Sequence, residues 1–274
     1  MKSSLPVTLT IAGSDSIGGA GVQADLKAFT LLGTHGTTVI TALTAQNTLG
    51  VEAIHPVPAD FVEAQLRAVF RDVRPQAIKT GMLANADIIQ AVRSFLLREA
   101  IEIPLVVDPV MVAATGARLL EPEAEGALKA LIQQATVVTP NLHEAAALAN
   151  MPLPTSALEM EHLLNQLVGQ YPGPAWLLKG GHAPWQGEQV VSLLWCAGKI
   201  HTFSHPRIPL QKPPHGTGCT LASAIAAYMS RGLSLPESVE RALLFTYEAV
   251  RQADPALGKG ALLLNLSAAA RIAL

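Results

Sequence analysis

The segment from His215 to Cys219 has the composition of an anion-binding turn, and an apolar stretch, residues 220–231, follows it directly. Its glycines let the backbone turn tightly onto a helix start, where several N–H groups have no partner within the helix. Such N–H groups, helped by the helix dipole, suit phosphate or the charge that develops during phosphoryl transfer. The alternative is that the small residues only allow close helix packing. The candidate residues of this turn are Gly216, Thr217, Gly218 and Cys219.

Cys219 is the residue of this turn that could react or accept a proton. A thiol at the N-terminus of a helix loses its proton more easily than usual, so Cys219 is expected to act as a general base toward a substrate hydroxyl. The alternative is that Cys219 only packs, while a metal site activates the hydroxyl.

Further side chains have the chemistry of a magnesium and phosphate site. Asp108 ends an apolar strand, where a carboxylate suits metal or phosphate chemistry. Asn141 and Glu144 lie three residues apart on one face of a starting helix and could hold hydrated Mg²⁺, which needs few protein ligands. They could also form a capping box, in which each side chain accepts the other's backbone N–H. Both interpretations can hold together.

The glycine-rich segment 13–21 does not match a nucleotide-binding fingerprint. Its spacing is not G-x-G-x-x-G, Gln46 stands where an acidic residue would close the second strand, and no lysine follows Gly18 as in a P-loop. We interpret it as a flexible turn through which the backbone approaches a small substrate. Asp25, on the following helix, could accept hydrogen bonds from that substrate or could be a solvated helix carboxylate.

Short β-rich runs alternate with longer amphipathic segments, which predicts an α/β fold: a mostly parallel sheet with helices on both faces. No linker is long enough to separate domains, so residues 1–274 are expected to form a single domain. The predicted strands are 7–11, 39–43, 77–80, 105–108, 136–139, 176–179 and 190–195. The predicted helices are 22–32, 59–71, 86–99, 123–133, 142–149, 157–169, 220–230 and 236–252.

Polar residues and glycines follow most of the predicted strands. The carboxyl ends of parallel strands meet at one rim of a sheet, and open α/β proteins bind ligands there. The sequence therefore predicts a ligand crevice at this rim. The segments expected to line it are 13–15, 44–47, 79–82, 108–111, 140–141 and 179–182.

Composition disfavours several other classes of function. The formal net charge is −2 and no lysine–arginine cluster stands out, so we expect no nucleic-acid partner. No apolar run reaches the roughly 18 residues that span a bilayer, and the N-terminus lacks the apolar region of a signal peptide. We therefore expect no membrane association and a cytoplasmic protein. Cys196 and Cys219 lack disulfide or zinc-type spacing, and His201 and His205 fall in a strand-like segment that disfavours a metal site.

Several blocks of the sequence, in order, resemble the hydroxymethylpyrimidine/phosphomethylpyrimidine kinases of thiamine biosynthesis, in the vitamin-kinase branch of the ribokinase superfamily. The resemblance implies a ribokinase-like three-layer α/β/α sandwich and a kinase activity: phosphorylation of 4-amino-5-hydroxymethyl-2-methylpyrimidine with MgATP, then of its monophosphate. It also implies a homodimer. The blocks are 10–27 (TIAGSDSIGGAGVQADLK), 39–48 (VITALTAQNT), 79–83 (KTGML), 108–112 (DPVMV), 139–144 (TPNLHE), 179–182 (KGGH) and 215–220 (HGTGCT).

The resemblance also implies roles for the residues on the pyrimidine side. Asp25 and Gln46 would read the ring nitrogens and the amino group. The full set that would line the pyrimidine pocket is Gly13, Ala20, Asp25, Gln46, Met82 and Val110.

On the phosphate side, the resemblance implies that residues 216–219 form the anion hole, with Cys219 where sugar kinases of the superfamily carry an aspartate base. Asp108 and Glu144 would arrange Mg²⁺, Asn141 would help to arrange the phosphates, and Lys179 would lie along the ATP.

Three segments depart from the family pattern. Residues 113–117 lack the side chain usual at Ala114, residues 258–266 replace a Gly-His-Gly-Pro stretch at the nucleotide-side wall or last helix, and the loop after His182 lacks acidic residues. We still expect an active kinase. The alternatives are a pyridoxine or pyridoxal kinase, against which Gln46 and Met82 favour the pyrimidine, and a non-catalytic pyrimidine-binding protein.

Overall fold

Strands and helices alternate along the chain, as the sequence predicts, in a computed structural model that describes residues 5–112, 119–181 and 183–273. The strands are β1 (Val7–Ala12), β2 (His35–Ile40), β3 (Ala42–Asn47), β4 (Gly50–Pro56), β5 (Ala77–Thr80), β6 (Leu105–Val107), β7 (Val137–Val138), β8 (Ala175–Leu178), β9 (Gln189–Cys196), β10 (Lys199–Pro206), β11 (Pro214–His215) and β12 (Leu262–Leu263). The α-helices are α1 (Gly21–Leu31), α2 (Ala59–Asp72), α3 (Ala86–Glu99), α4 (Glu125–Ile132), α5 (Leu142–Ala149), α6 (Ala157–Gln170), α7 (Thr217–Ser230), α8 (Leu235–Arg251) and α9 (Leu266–Ala273).

The main sheet has eight strands within the described residues, in the order β10–β9–β8–β7–β6–β5–β1–β2. Strands β2, β1, β5, β6, β7 and β8 run parallel, and β9 and β10 add an antiparallel edge. The predicted mostly parallel sheet is confirmed. Because parallel strands end on the same side, the residues that follow β1, β5, β6, β7 and β8 share one rim.

Side chains that alternate along the strands build a core on each face of the sheet. Val107 belongs to the core that packs against α2, α3, α4, α5 and α6. Its neighbour Val106 belongs to the opposite core, against α1, α7, α8 and α9. Both side chains are fully buried, which explains why β6 is uniformly apolar in sequence. The arrangement is the three-layer α/β/α sandwich that the family resemblance implies.

Helix α7 is buried on nearly all sides and begins earlier than predicted. Ten of its 14 residues are buried, and its small side chains let it pack closely on α1, α8 and the sheet. It starts at Thr217 rather than at Thr220, so Gly218 and Cys219 belong to its first turn and Gly216 is its N-cap. The two glycines predict a tight turn onto the helix start, and in the structure the second of them lies inside the first helical turn.

The predicted strand 39–43 is divided between two sheets. Strand β2 ends at Ile40, and β3 begins at Ala42 as part of an antiparallel hairpin with β4 that stands apart from the main sheet. Between them, Thr41 is fully buried, and its hydroxyl donates to the Met82 carbonyl at 2.6 Å. The pairing of β3 with β4 shifts register between Ala45 and Gln46. Such a bulge changes the direction of the following side chain.

The structure also contains elements that the sequence does not predict. Strand β10 pairs along its whole length with β9, β11 pairs with β12, and α9 closes the described chain. Two-residue strands such as β11 and β12 carry no periodicity, so the sequence has no signal for them.

A buried ion pair joins α1 to β5 beneath the rim. Lys79 Nζ lies 2.9 Å from Asp25 Oδ1 and 2.8 Å from Asp25 Oδ2, and both side chains are fully buried. The hydroxyls of Thr10 and Ser223 donate to the same carboxylate, each at 2.6 Å. Four elements, β1, α1, β5 and α7, therefore converge on one charge pair whose hydrogen-bonding capacity is well satisfied.

We expect Lys79→Met to destabilise the fold by about 3–5 kcal/mol, because it leaves the Asp25 carboxylate buried without its cation. Urea unfolding of the variant and the wild type measures this difference. The matched control is Arg67→Met, which removes the exposed ion pair with Glu63 and should cost less than about 1 kcal/mol. Equal losses in the two variants would contradict a structural role for the buried pair.

Candidate active site

Asp108 and Lys179 form an ion pair at the rim, after β6 and β8. Lys179 Nζ lies 3.1 Å from Asp108 Oδ1, which also accepts a hydrogen bond from the Thr139 hydroxyl at 3.1 Å. Both groups lie against the start of α7, since a Cβ placed on Gly218 would be 3.3 Å from Lys179 Nζ and 3.4 Å from Asp108 Oδ2. The missing side chain at Gly218 lets the helix N-terminus approach this pair.

The turn at residues 216–219, called the anion turn below, requires glycine at its first position. Gly216 has φ of 82°, in the left-handed region, and a Cβ there would collide with the Gly19 carbonyl and lie 3.2 Å from Ala20 Cα. The anion turn therefore packs backbone to backbone on residues 15–21, called the glycine loop below. The first N–H groups of α7, which have no acceptor within the helix, lie beside Asp108 and Lys179.

Cys219 lies in this turn, but its ionisation is opposite to the prediction. Burial raises the pKa of the Cys219 thiol to about 11; the Lys79 ammonium opposes the rise, while the carboxylates of Asp25 and Asp108 add to it. The effect of the helix start is outweighed by burial and by nearby negative charge. The thiol is therefore neutral near pH 7 in this structure, and it can donate a hydrogen bond.

Asn141 and Glu144 form the capping box that was one of the two interpretations. Asn141 Oδ1 accepts the Glu144 N–H at 2.9 Å, and Glu144 Oε2 accepts the Asn141 N–H at 2.8 Å. An isolated parallel β-bridge pairs Asn141 with Lys179, and it places this capping box beside the ion pair of Asp108 and Lys179. Burial raises the pKa of Glu144 to about 7; the Lys179 ammonium opposes the rise and the Asp108 carboxylate adds to it. The helix cap is thus observed, while magnesium binding stays a prediction.

Five of the residues assigned to the pyrimidine pocket lie around this rim. Gly13 and Met82 are adjacent, since a Cβ on Gly13 would be 3.1 Å from Met82 Sδ. Gln46 is half-buried at the bulge of β3. Ala20 lies in the glycine loop against Gly216, and Val110 is half-buried, its N–H donating to the Asp108 carbonyl at 2.8 Å. These five residues border the region between the hairpin, the glycine loop and the anion turn, which is the candidate crevice.

Asp25 is not brought into this crevice. Its side chain is fully buried, and both carboxylate oxygens are taken by Lys79, Thr10 and Ser223. The sequence could place Asp25 on α1 but could not show that its partners come from three other elements. Its geometry is that of an internal ion pair rather than of a solvated helix carboxylate or a group open to a ligand.

Asp15 and His215 lie in segments that the sequence analysis singled out, but it assigned no role to either side chain. Asp15 is 1% exposed, and its Oδ2 lies 2.9 Å from His215 Nε2. Burial opposes its ionisation, but hydrogen bonds from His215, Gln46 and the Ala20 N–H outweigh that effect and lower the pKa of Asp15. The signal available in the sequence was the Ser-Asp-Ser step before the glycines, because Asp side chains commonly accept backbone N–H groups of a following turn.

The departure at residues 258–266 lies beside the pyrimidine-side residues. The N–H groups of Gly260 and Ala261 donate to the Thr48 hydroxyl at 3.1 Å and to its carbonyl at 2.8 Å. Leu263 lies beside Gly19, where a Cβ would be 2.6 Å from Leu263 Cδ2. The last helix is present as α9. The departures at residues 113–117 and at His182 lie outside the described residues. The loop after His182 is described from Ala183 onward.

The sequence also disfavours a metal site at its cysteines or at His201 and His205, and an association with membranes. Within residues 5–112, 119–181 and 183–273, no group of three or more His, Cys, Asp or Glu side chains could hold a metal ion. His205 packs on Tyr247, with ring centroids 4.9 Å apart. None of the helices described combines the length and the apolar character that crossing a membrane requires.

Comparison with known proteins places these observations in a family. The family described as phosphomethylpyrimidine kinase matches residues 15–265, which contain every candidate site residue except Gly13. The chain belongs to this family. The resemblance inferred from the sequence, the fold class and the assignment to the kinases are thereby confirmed.

Curated relatives agree with the phosphomethylpyrimidine kinase assignment. The chain is 45% identical over 247 residues to the hydroxymethylpyrimidine/phosphomethylpyrimidine kinase of Escherichia coli, covering 90% of this chain and 91% of that protein. It is 48% identical over 255 residues to the thiamine biosynthesis bifunctional protein ThiED of Geobacter sulfurreducens. There the match covers 92% of this chain and 50% of the relative, so the chain spans about half the length of that protein.

Solved structures include members of two vitamin-kinase activities. A phosphomethylpyrimidine kinase from Clostridium difficile is 38% identical, with a TM-score of 0.77, covering 89% of this chain and 99% of that one. The pyridoxal kinase from Staphylococcus aureus in complex with AMP-PCP and pyridoxal is 31% identical, with a TM-score of 0.87, covering 98% and 96%. The fold is therefore shared by kinases named for different substrates.

We expect Cys219 to be alkylated slowly at neutral pH, because a thiol with a pKa of about 11 is only about a thousandth thiolate at pH 8. Iodoacetamide labelling of a Cys196→Ser variant, followed from pH 6 to 10, reports on Cys219 alone. The rate should rise throughout this range. An inflection between pH 6 and 8 would instead support the lowered pKa that the helix start suggested.

Proposed function

We propose that this chain transfers the γ-phosphate of ATP to the hydroxymethyl group of 4-amino-5-hydroxymethyl-2-methylpyrimidine and then phosphorylates the monophosphate to the diphosphate. The observation that carries the proposal is the contact of the anion turn with Asp108 and Lys179 at the rim of the sheet. Helix N–H groups and an ammonium next to a carboxylate supply the positioning and charge stabilisation on which phosphoryl transfer depends. The name of the Escherichia coli relative supports the substrate.

Each group at the rim has a proposed part in the reaction. The N–H groups of the anion turn hold the phosphoryl group in transfer, and Lys179 binds the phosphates of ATP. Gly13, Gln46 and Met82 form the wall for the pyrimidine ring. Gln46 can both donate and accept hydrogen bonds through its amide, which matches an amino group beside a ring nitrogen. These roles put the hydroxymethyl group between the pyrimidine wall and the anion turn.

Mg²⁺ is part of the proposal, with Asp108 and Glu144 as its candidate ligands. Mg²⁺ prefers carboxylate oxygens together with substrate phosphates. The Lys179 ammonium faces both buried carboxylates, and burial raises the pKa of Glu144, with the Asp108 carboxylate adding to the rise. A divalent cation fits this donor set, and when bound it would neutralise charge on the phosphate oxygens. Asn141 keeps Glu144 in place through the capping box.

Cys219 is the proposed acceptor of the hydroxyl proton. Its raised pKa means that the thiol is protonated before the substrates bind. A divalent cation held near Asp108 would favour the thiolate, because positive charge close to the sulfur stabilises its ionised form. Should the hydroxyl lose its proton elsewhere, Cys219 would remain as a packing residue and a donor within the anion turn.

The competing substrate is pyridoxal. The likeness to the Staphylococcus aureus pyridoxal kinase extends over nearly the whole chain, and pyridoxal also carries a hydroxymethyl group on a flat ring. Against it, the pyrimidine-named relatives are more similar in sequence, at 45% identity compared with 31%. A pyrimidine-binding protein without turnover is the remaining alternative.

We expect ADP release from MgATP with hydroxymethylpyrimidine and with its monophosphate, and much less with pyridoxal or without substrate. Asp108→Asn should lower kcat by about 100-fold or more, because it removes charge at the site of transfer. Cys219→Ala should lower kcat by about 100-fold if the thiol is the base. A coupled ADP assay under saturating ATP measures turnover with each of the three substrates and without substrate, for the wild type and for both variants.

The matched control for Cys219→Ala is Cys196→Ala, at the end of β9, which should keep the wild-type rate. Preference for pyridoxal would assign the chain to the competing activity. Pyrimidine binding without ADP release would revive the non-catalytic alternative. Unchanged turnover in Cys219→Ala would reject the base role and leave the proposed reaction standing.

The family resemblance supports two further parts of the proposal, a homodimer and a cytoplasmic location. For a homodimer, light scattering at micromolar concentration should give twice the chain mass of 28.8 kDa. A mass of one chain over the whole concentration range would contradict it. Fractionation of cells that express the protein tests the location, and recovery with the membranes would reject it.

A further inference from the structure

The Asp15 carboxylate turns the N–H groups of the glycine loop inward. Asp15 Oδ1 accepts the Ile17 N–H at 3.0 Å, and Oδ2 accepts the N–H groups of Gly19 at 2.9 Å and Ala20 at 2.7 Å. The loop was interpreted as a flexible turn, but these bonds tie its backbone to one buried side chain. Its N–H groups at these positions are consequently directed at Asp15 rather than at a ligand.

His215 connects the same carboxylate to the anion turn. Its Nε2 lies 2.9 Å from Asp15 Oδ2, and its side chain is 13% exposed. The ring also packs on the glycine loop, since a Cβ on Gly19 would be 2.7 Å from His215 Cδ2. The next residue along the chain is Gly216, the N-cap of α7. The contact between His215 and Asp15 therefore lies one residue before the anion turn.

We infer that Asp15 and His215 are a positioning pair that holds the glycine loop against the anion turn and so aligns the substrate hydroxymethyl group for phosphoryl transfer. The inference rests on the proposed function. The two residues are 200 positions apart in sequence, and each belongs to a segment that contacts a different part of the substrate in the proposed pose. Neither residue needs to touch the reacting atoms.

Other contacts also bring the two segments together. Gly216 meets Gly19 and Ala20 through backbone atoms, and His215 pairs with Leu263, which lies beside Gly19. The hydrogen bond from His215 to Asp15 adds direction to these contacts. In phosphoryl transfer the attacking and leaving oxygens must be nearly in line, and a misplacement of about 1 Å can cost about 100-fold in rate.

The test compares substitutions that keep or remove the hydrogen-bond donor of His215. His215→Gln keeps an N–H donor at a similar reach from Cα, while His215→Phe and His215→Leu remove it and differ in bulk. Both donor-free variants should lower kcat for hydroxymethylpyrimidine by about 100-fold, with KM for ATP changed by less than about 3-fold. His215→Gln should recover most of the wild-type kcat. His205→Leu, on the edge strand β10, is the control histidine.

Thermal unfolding of each variant separates alignment from loss of fold. The inference is supported when the kcat order is wild type, Gln, then Phe and Leu, among variants whose Tm values are alike. It is overturned when His215→Phe or His215→Leu keeps kcat within about 3-fold of wild type. It is also overturned when His215→Gln, at equal Tm, has a kcat as low as those two variants. Absence of pyrimidine turnover in the wild type would reject the proposed function instead, so the two failures are distinguishable.

A double-mutant cycle with Asp15→Asn checks that the two residues act through each other. Residues in direct contact show coupled effects, whereas independent residues add. The kcat loss in Asp15→Asn with His215→Phe should therefore be much smaller than the product of the separate losses. Multiplicative losses would overturn the pairing even if each residue alone proved important.

Discussion

The buried ion pair between Asp25 and Lys79 is the interaction on which the placement of the anion turn depends. Ser223 lies one turn beyond Cys219 on α7 and donates to Asp25, so the pair fixes both the depth and the rotation of that helix against the sheet. A buried charge pair tolerates little displacement, because an unsatisfied partner in the interior is costly. The small residues of α7 allow it to come close enough for this contact. The helix N-terminus then reaches the rim at Gly218, where it meets the second ion pair.

Carboxylates and ammonium groups lie close together at the rim and just beneath it. Burial is the main cause that raises the pKa of both Glu144 and Cys219, and the Asp108 carboxylate adds to the rise in each case, while Lys179 opposes it at Glu144 and Lys79 opposes it at Cys219. Both shifts favour the protonated form, and a nearby cation would oppose them. A site that handles a metal nucleotide is expected to be balanced in this way. The two perturbed pKa values therefore support the same chemistry as the glycine turn, by an independent route.

Local patterns predicted the parallel sheet, most helices and the polar rim, because these follow from periodicity and from where parallel strands end. Three conclusions needed the tertiary structure. The break at Thr41 depends on a hydrogen bond to Met82, the role of Asp25 depends on Lys79, and the ionisation of Cys219 depends on burial. In each case the deciding partner is remote in sequence. Motif resemblance identified the family correctly, and yet it could not distinguish a residue that lines a pocket from one that lies beneath it.

The likeness to pyridoxal kinases limits where substrate choice can reside. The main sheet and its rim are common to kinases named for either substrate, so fold alone does not select the ring. Selection must come from side chains that meet the ring, and the residues proposed for this part lie on the β3–β4 hairpin and the loops beside it. Gln46 stands at the hairpin bulge and contributes to the hydrogen bonds at Asp15, which is also the partner of His215. Under the proposed function, recognition of the ring and alignment at the anion turn would therefore be connected through one carboxylate.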